Sequence, residues 1–560
     1  MSPVVAGSTS LPSARPADAD RATVVAALVI AGAALALRVA LSPQFDGIDD
    51  LGYFQAAHRV SSGRTLDGMF PLFQTRIGMA YPLGWLLKAG WLQPSQFWVL
   101  TSLAECITLA SLFACARLLT GTARAGLAAV ALYAIYPLAV QQALVFYPTA
   151  FQVASIAAAA ALIAAAETRP RRPARLALAL AAGLSLGLGY LVKEDVAIVV
   201  PAIALASLIT GFPRRSTALV VCGGAAAIFA AECAGYWLST GQPLFRLTAT
   251  SGLGAAMEDQ LHIKAIWRWD AFLRSLFLMP AQVGLIWWCA IPAVWSAFRR
   301  GDARLKFAAT TFVILALYLQ FGSGSPTSYS PLPKTPRYTA LVTPFLVLLV
   351  GVWFARLFER GRRVPALALA VVVAIAAVPC LAFSVLASGE RTRNTLALLP
   401  VIRAMAPGHL YTDYYGAQAL RILAPELPDV RVWYHARFDT NQIVVSANPG
   451  IDDEAYVLLD RQVAKIYTSS YEMTLPPEID HPPAAWRIVW SGRAYAEGTL
   501  ARALLEGIRA AAQRLPNGNP LSSRINRNIS DMIDGDHAML YRVPAAGFTA
   551  SRVAPVTVRP

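Results

Sequence analysis

Charge is scarce in this chain. Of its 560 residues only 14% are Asp, Glu, Lys or Arg, whereas 56% are hydrophobic and the mean hydropathy is +0.49. Soluble domains carry about 25% charged residues, so the deficit excludes an ordinary soluble enzyme. Cysteine is also rare: Cys106, Cys115, Cys222, Cys233, Cys289 and Cys380 all fall in hydrophobic stretches, and none follows Cys380. That excludes a disulfide framework or a CxxC metal site in the C-terminal part. Acidic residues, 33 against 48 basic ones, leave a formal net charge of +15. Where the basic residues sit decides what that charge means.

Long apolar runs are what the chain has in abundance. A helix crosses a bilayer with about 20 apolar residues, and such stretches read as spans at roughly 22–43, 96–118, 125–144, 150–166, 174–192, 196–211, 216–238, 273–298, 306–321, 339–357 and 364–387. Alternate connections are short and basic: Arg124; Arg169, Arg171, Arg172 and Arg175; Arg214 and Arg215; Arg299, Arg300, Arg304 and Lys306; Arg360, Arg362 and Arg363; with Arg15 and Arg21 ahead of the first span. The positive-inside rule makes these cytoplasmic, and they absorb most of the net charge, so no nucleic-acid partner is required. Residues 77–92, interrupted by Pro82 and Lys88, are expected to lie along the outer interface as a helix rather than to cross. The first span is longer than a signal-peptide core and reads as an uncleaved anchor.

Three parts follow: a cytoplasmic tail at 1–21, a membrane module at 22–387 with its first outer loop at 44–95, and a soluble domain at 388–560 on the outer side. About eleven helices and an α/β tail define the expected fold class. In the tail, strands are expected at His409–Thr412, Val430–His435, Ala455–Leu459 and Ala538–Val543. Helices are expected at Ala417–Leu423 and Thr499–Arg514, with a polar loop at Asn517, Gly518 and Asn519. Tyr414, Tyr415, Trp433 and Tyr434 suit core packing better than sugar stacking.

Immediately after the first span come Asp46, Asp49, Asp50 and Tyr53, flanked by Phe45 and Phe54. If helical, these positions share one face at i, i+3, i+4 and i+7, and the three acids converge. Acids so held are solvated, or kept for a proton or a metal.

The run Asp49-Asp50-Leu51-Gly52-Tyr53-Phe54-Gln55-Ala56-Ala57, followed by Gly63, resembles the acidic-pair, Tyr, Ala pattern in the first outer loop of the GT-C glycosyltransferases, which include protein O-mannosyltransferases and lipid A aminoarabinose transferases. The likeness continues in order through Arg76 before Tyr81-Pro82, Gly189-Tyr190-Leu191-Val192-Lys193-Glu194 ahead of a span with Pro201, and Lys334-Thr335-Pro336-Arg337-Tyr338. It covers most of residues 20–390. The resemblance implies transfer of a sugar from a polyprenyl-phosphate carrier to a lipid, glycan or protein acceptor outside the membrane.

The residues fit that chemistry on their own terms. An interfacial carboxylate can take a proton from an attacking hydroxyl, and cationic side chains can stabilise a departing phosphate. Asp49 is the expected general base, with Asp50 positioning the acceptor or sharing the proton. Asp46, Tyr53, Tyr81, Glu194 and Tyr338 complete the expected substrate site. Arg337, then Arg76 and Lys193, are the expected phosphate ligands, arginine for its fork of donors. The residues assign no definite cofactor; three acids could hold a divalent cation through oxygen.

One departure stands out: relatives often carry an acid at the outer end of the fourth span, where Phe146-Tyr147-Pro148-Thr149-Ala150 offers only Thr149. Glu194, Asp195, or Glu258 and Asp259 in a loop that also holds His262 and Lys264, are the substitutes. Glu105 lies inside a span, a costly position that marks a functional or a paired residue; Glu232, nearer an outer end, needs less explanation. The alternative function is a transporter or lipid flippase, for which two related halves with broken spans are expected and none are seen. The Ala/Arg-rich composition suggests a bacterial source, hence undecaprenyl phosphate and a periplasmic outer side.

Overall fold

The computed structural model describes residues 17–43, 45–47, 49–251, 269–278, 282–323, 329, 332–359, 361–405, 409–427, 429–434, 455–471, 475, 477–492, 500–514, 522–523, 526, 529–530, 533 and 537–544. The loop holding Glu258, Asp259, His262 and Lys264, the Asn517–Asn519 turn, Arg15 and Arg360 lie outside them, as do the side chains of Trp433 and Tyr434.

The chain is a mostly helical, multi-pass membrane protein. Among the described residues seven helices are long and apolar enough to cross a bilayer, or eight if one bent pair counts as a single span. The seven spans lie in α1 (Ala17–Leu41), α5 (Trp98–Thr120), α8 (Pro148–Glu167), α9 (Arg172–Val192), α11 (Arg215–Thr240), α14 (Ala303–Phe321) and α16 (Arg363–Ala387). The bent pair is α6 (Ala123–Ile135) and α7 (Pro137–Leu144), meeting at 63°. Pro137 has no N–H to continue the ladder, so the expected span at 125–144 breaks there. Three further apolar helices, α10 (Val199–Thr210), α13 (Ile286–Arg300) and α15 (Thr343–Glu359), are shorter. The expected spans at 196–211 and 339–357 each begin with a 3₁₀ turn, Glu194–Ile198 and Pro336–Leu341, and the one at 273–298 with a wide turn at Arg274–Leu278. Buried Ala, Val, Leu and aromatic side chains of these helices form one core, with α15 buried along most of its length.

The helix ends sort into two sets. At one end Arg117 pairs with Asp20 at 3.7 Å, Arg214 with Glu167 at 3.5 Å, and Arg304 donates to the Leu118 carbonyl. At the other end lie α2 (Asp49–Ser61), α3 (Pro71–Thr75) and α4 (Ile77–Lys88), with the short α12 (Phe245–Ser251). Phe45, Leu51, Tyr53, Phe54, Met79 and Leu83 fuse this layer into a core of its own.

Beyond α16, helix α17 (Arg393–Met405) leads to a five-stranded sheet of β1 (Leu410–Asp413), β2 (Val430–Tyr434), β3 (Ala455–Asp460), β4 (Arg487–Gly492) and β5 (Ala538–Val543), in the order β2-β1-β3-β5-β4. β1 runs parallel to β2 and β3, while β5 is antiparallel to β3 and β4. Helices α18 (Tyr414–Leu423), α19 (Arg461–Tyr471) and α20 (Leu500–Gln513) accompany it. β4 and α19 had no counterpart in the sequence reading. Ala419, Ile422 and Leu423 of α18 pack into the core beneath α2, so the sheet is fixed to the first loop by apolar contact.

Candidate active site

The loop before α2 is shaped from within by Asp50. Its side chain is fully buried, and its oxygens accept hydrogen bonds from the backbone N–H of Asp46, of Gly47 at 3.0 Å and of Leu51 at 2.9 Å. Burial, reinforced by the Asp46 charge, pushes its carboxyl up to about 7 despite those donors. Asp50, expected to position the acceptor or share the proton, thus has the chain's own backbone amides as partners. Asp46 departs from the expected helical face. The helix starts at Asp49, so Asp46 leaves the shared face; it is buried, accepting from the Tyr147 hydroxyl and from the Gly389 N–H at 2.8 Å, with Arg391 at 3.9 Å. Three acids adjacent in sequence thus occupy three environments.

Asp49 alone stays open. Its side chain is 27% exposed and lies 3.9 Å from Arg337, which is 57% exposed. Both sit where α2 and the Pro336–Leu341 turn meet. Tyr338 carries Arg337 at 5.5 Å and Lys193 at 5.0 Å over its ring, so it organises cations as well as marking the interface. Lys334, largely buried three residues before Arg337, has no ion-pair partner among the described residues. It belonged to the expected motif without being named as a ligand.

The other expected ligands form a framework. Arg76 is buried and grips Glu194 with two hydrogen bonds, 3.1 and 2.8 Å, while a third donor reaches the Tyr53 hydroxyl. Burial opposes the Glu194 charge, but the Arg76 guanidinium outweighs it and, with Arg246, holds the carboxyl well below the usual range. Arg246 extends the chain: it lies 3.4 Å from Glu194 and 2.8 Å from Glu232, over the Tyr190 ring at 4.5 Å. Lys193 is buried against Asp195 at 3.0 Å and Gln152 at 3.2 Å. Arg76, Lys193, Tyr53 and Glu194, expected to meet substrate, thus each have an internal partner in this structure. Tyr81 is exposed with its ring against Trp85, an interfacial placement. Arg246, in α12 between Phe245 and Leu247, was not singled out from sequence.

No group of three His, Cys, Asp or Glu side chains among the described residues is placed to hold a metal. Asp46 and Asp50 already spend oxygens on protein donors, so the residues do not fit the divalent cation that three acids suggested. Glu105 pairs with Arg38 at 3.3 Å and accepts from Tyr133 at 2.8 Å, which makes it a neutralised packing group between α1, α5 and α6.

With this geometry in view, comparison with known proteins is informative. Residues 95–237 match the sequence profile of the dolichyl-phosphate-mannose-protein mannosyltransferase family. That family is among those whose motifs the acidic loop and its sequels resemble. The match covers α5 to α11, the bundle that carries Lys193, Glu194 and Glu232, and stops short of the acidic loop and Arg337. No curated protein matches the chain. Among solved structures, an Archaeoglobus fulgidus oligosaccharyltransferase tethered to an acceptor peptide is similar at 10% identity, over 92% of this chain and 88% of that one, with a TM-score of 0.48. ArnT from Cupriavidus metallidurans in the apo state is similar at 17% identity over 80% and 95%, TM-score 0.47. Its complex with undecaprenyl phosphate gives 19% over 70% and 73%, TM-score 0.42. Likenesses below a TM-score of 0.5 carry no weight for the chemistry.

Proposed function

We propose that this protein is a membrane glycosyltransferase that moves a sugar from a polyprenyl-phosphate carrier to an acceptor hydroxyl on the outer, periplasmic face. The observation that carries the reading is the open Asp49–Arg337 pair, a carboxylate and a guanidinium 3.9 Å apart at one end of an apolar bundle. Asp49 takes the proton from the acceptor oxygen as it attacks the anomeric carbon. The bond to the carrier phosphate breaks, and Arg337, with Lys334 three residues before it in the chain, receives the charge that develops on the leaving oxygen. One support is independent of that pair, the profile match to a family whose donor is a lipid-phosphate-linked sugar; the loop motifs in their expected order, of which Asp49 and Arg337 are members, are a second.

In this reading the basic helix ends face the cytoplasm, as the positive-inside rule requires. The 22–387 module carries out transfer from the inner membrane of a bacterium, with undecaprenyl phosphate as the carrier, and the 388–560 region is an extracytoplasmic α/β domain. The test is a deletion strain complemented with the native protein or Asp49→Asn, its envelope lipids and glycans compared by mass spectrometry. A defined sugar restored by the native protein alone supports the reading and names the substrates. A sugar restored equally by Asp49→Asn removes Asp49 as the base, and an unchanged profile in the deletion strain removes the transferase.

A further inference from the structure

The acidic loop and the segment linking α16 to α17 are pressed together more closely than side chains allow. Gly47 has φ +98°, and a Cβ there would meet Thr392 Cγ2 at 2.8 Å and Arg391 Cβ at 3.0 Å. Gly389, at φ +73°, would place a Cβ 3.2 Å from the Phe45 carbonyl oxygen and in collision with Pro43. Only glycine tolerates both the dihedral and the approach. Across this seam the Gly389 N–H donates to Asp46 at 2.8 Å, the Thr392 hydroxyl donates to the Phe45 carbonyl at 2.5 Å, and the Arg391 guanidinium lies between Glu390 at 3.5 Å and Asp46 at 3.9 Å, over the Tyr415 ring. Gln55 of α2 donates to Gln418 of α18 at 2.5 Å. Asn394, two residues on from Thr392, donates to Asp460 at the end of β3 at 2.9 Å.

The seam therefore runs from the sheet to the residue three positions before Asp49. It enters at the carboxyl ends of β1 and β3, where the parallel strand order reverses and open sheets commonly leave a crevice. Here that crevice takes a segment of the chain itself.

We propose that residues 389–392 are a positioning clasp on the acidic loop: Arg391 and the Gly389 amide fix Asp46, and through the Asp46–Asp50 turn they set Asp49 beside Arg337. Arg391 is a positioning residue, acting through Asp46 rather than on substrate. The C-terminal domain thereby gains a role in transfer, since it holds the clasp. The inference rests on the proposed transfer reaction for its activity readout and stands on loop geometry for the rest.

The experiment compares native protein, Arg391→Gln, Arg391→Lys and Asp49→Asn, all full length, matched for amount and for thermal midpoint in detergent. Backbone hydrogen exchange over residues 45–51 should rise in Arg391→Gln and return towards native in Arg391→Lys. In the complemented deletion strain, product should fall roughly 10- to 100-fold in Arg391→Gln, the scale expected for a misplaced catalytic group, and recover in Arg391→Lys. Binding of undecaprenyl phosphate, titrated by tryptophan fluorescence, should stay within about twofold of native in Arg391→Gln, because the clasp does not touch the carrier. Native exchange in Arg391→Gln, or a product loss that Arg391→Lys fails to restore, overturns the clasp. Product retained in Arg391→Gln but lost in Asp49→Asn overturns the clasp and leaves the transfer reading standing. Product retained in Asp49→Asn, with loop exchange still raised in Arg391→Gln, removes the base assignment and leaves the clasp.

Discussion

Asp49–Arg337 and Glu232–Arg246 are the same chemical pair in two settings. The first is loose, at 3.9 Å with side chains 27% and 57% exposed; the second is tight, at 2.8 Å with both 2% exposed. The tight pair is continuous with Glu194, Arg76 and Tyr53, so its charges are mutually neutralised. A buried network of that kind holds helices in register. The loose pair gives up interaction energy and keeps its oxygens and N–H groups available. At this end of the molecule the two pairs differ in burial and so in what they leave accessible.

The largest effect that would sharpen this contrast is on turnover. Asp49→Asn should lower sugar transfer roughly 10²- to 10⁴-fold, as removal of a general base does, with the thermal midpoint in detergent unchanged. Arg246→Ala should do the reverse. It strands a buried carboxylate at a cost of about 3–5 kcal/mol, read as a lower midpoint and lower monodisperse yield. Equal thermal stability of Arg246→Ala and native protein would break the comparison.

A third test uses pH. The folded Asp50 carboxyl is raised to about 7 from its ordinary value of 3.8. The folded state therefore holds a proton that the unfolded chain releases, and this contribution to stability is full below about pH 4 and lost as pH rises towards 7. The stability advantage of native protein over Asp50→Asn should shrink across that window, measured by thermal unfolding at pH 5 and pH 7.5. A difference independent of pH would mean that Asp50 keeps its charge when buried.

Smaller effects follow. Arg337→Lys should weaken undecaprenyl phosphate binding about tenfold, because a point charge replaces a fork of donors, while Arg76→Lys should instead lower the thermal midpoint. Least of all, Arg403→Ala, which removes an exposed pair with Glu426 at 2.7 Å, should leave the thermal midpoint in detergent close to native.

Much of this molecule was legible in sequence, unevenly. Apolar runs announced the helices because crossing a bilayer demands length and composition that nothing else requires. The breaks inside them were less visible: the expected span at 125–144 contains Pro137, but nothing in its composition marked the 63° bend there. The acidic loop was found by its clustered charges, but the expectation of one converging helical face failed, because the helix begins at Asp49 and Asp46 turns to Gly389 and Tyr147. Arg76 and Lys193 looked like phosphate ligands for the reason that Arg337 does, a cation at a span end; their partners Glu194 and Asp195 were named as spare acids rather than as counter-ions. Arg246 gave no signal.

What the sequence determined by itself was the membrane class of the chain, the expected asymmetry of its helix ends and the short list of groups able to do proton and phosphate chemistry. These follow from composition and local periodicity, which act within a few turns of chain. Which members of that list stay open was decided only by the fold. Asp46 meets an amide 343 residues away, Asp49 the guanidinium of Arg337, and Arg76 a carboxylate 118 residues on. Burial and pairing are properties of neighbours in space, and local pattern contains no term for them.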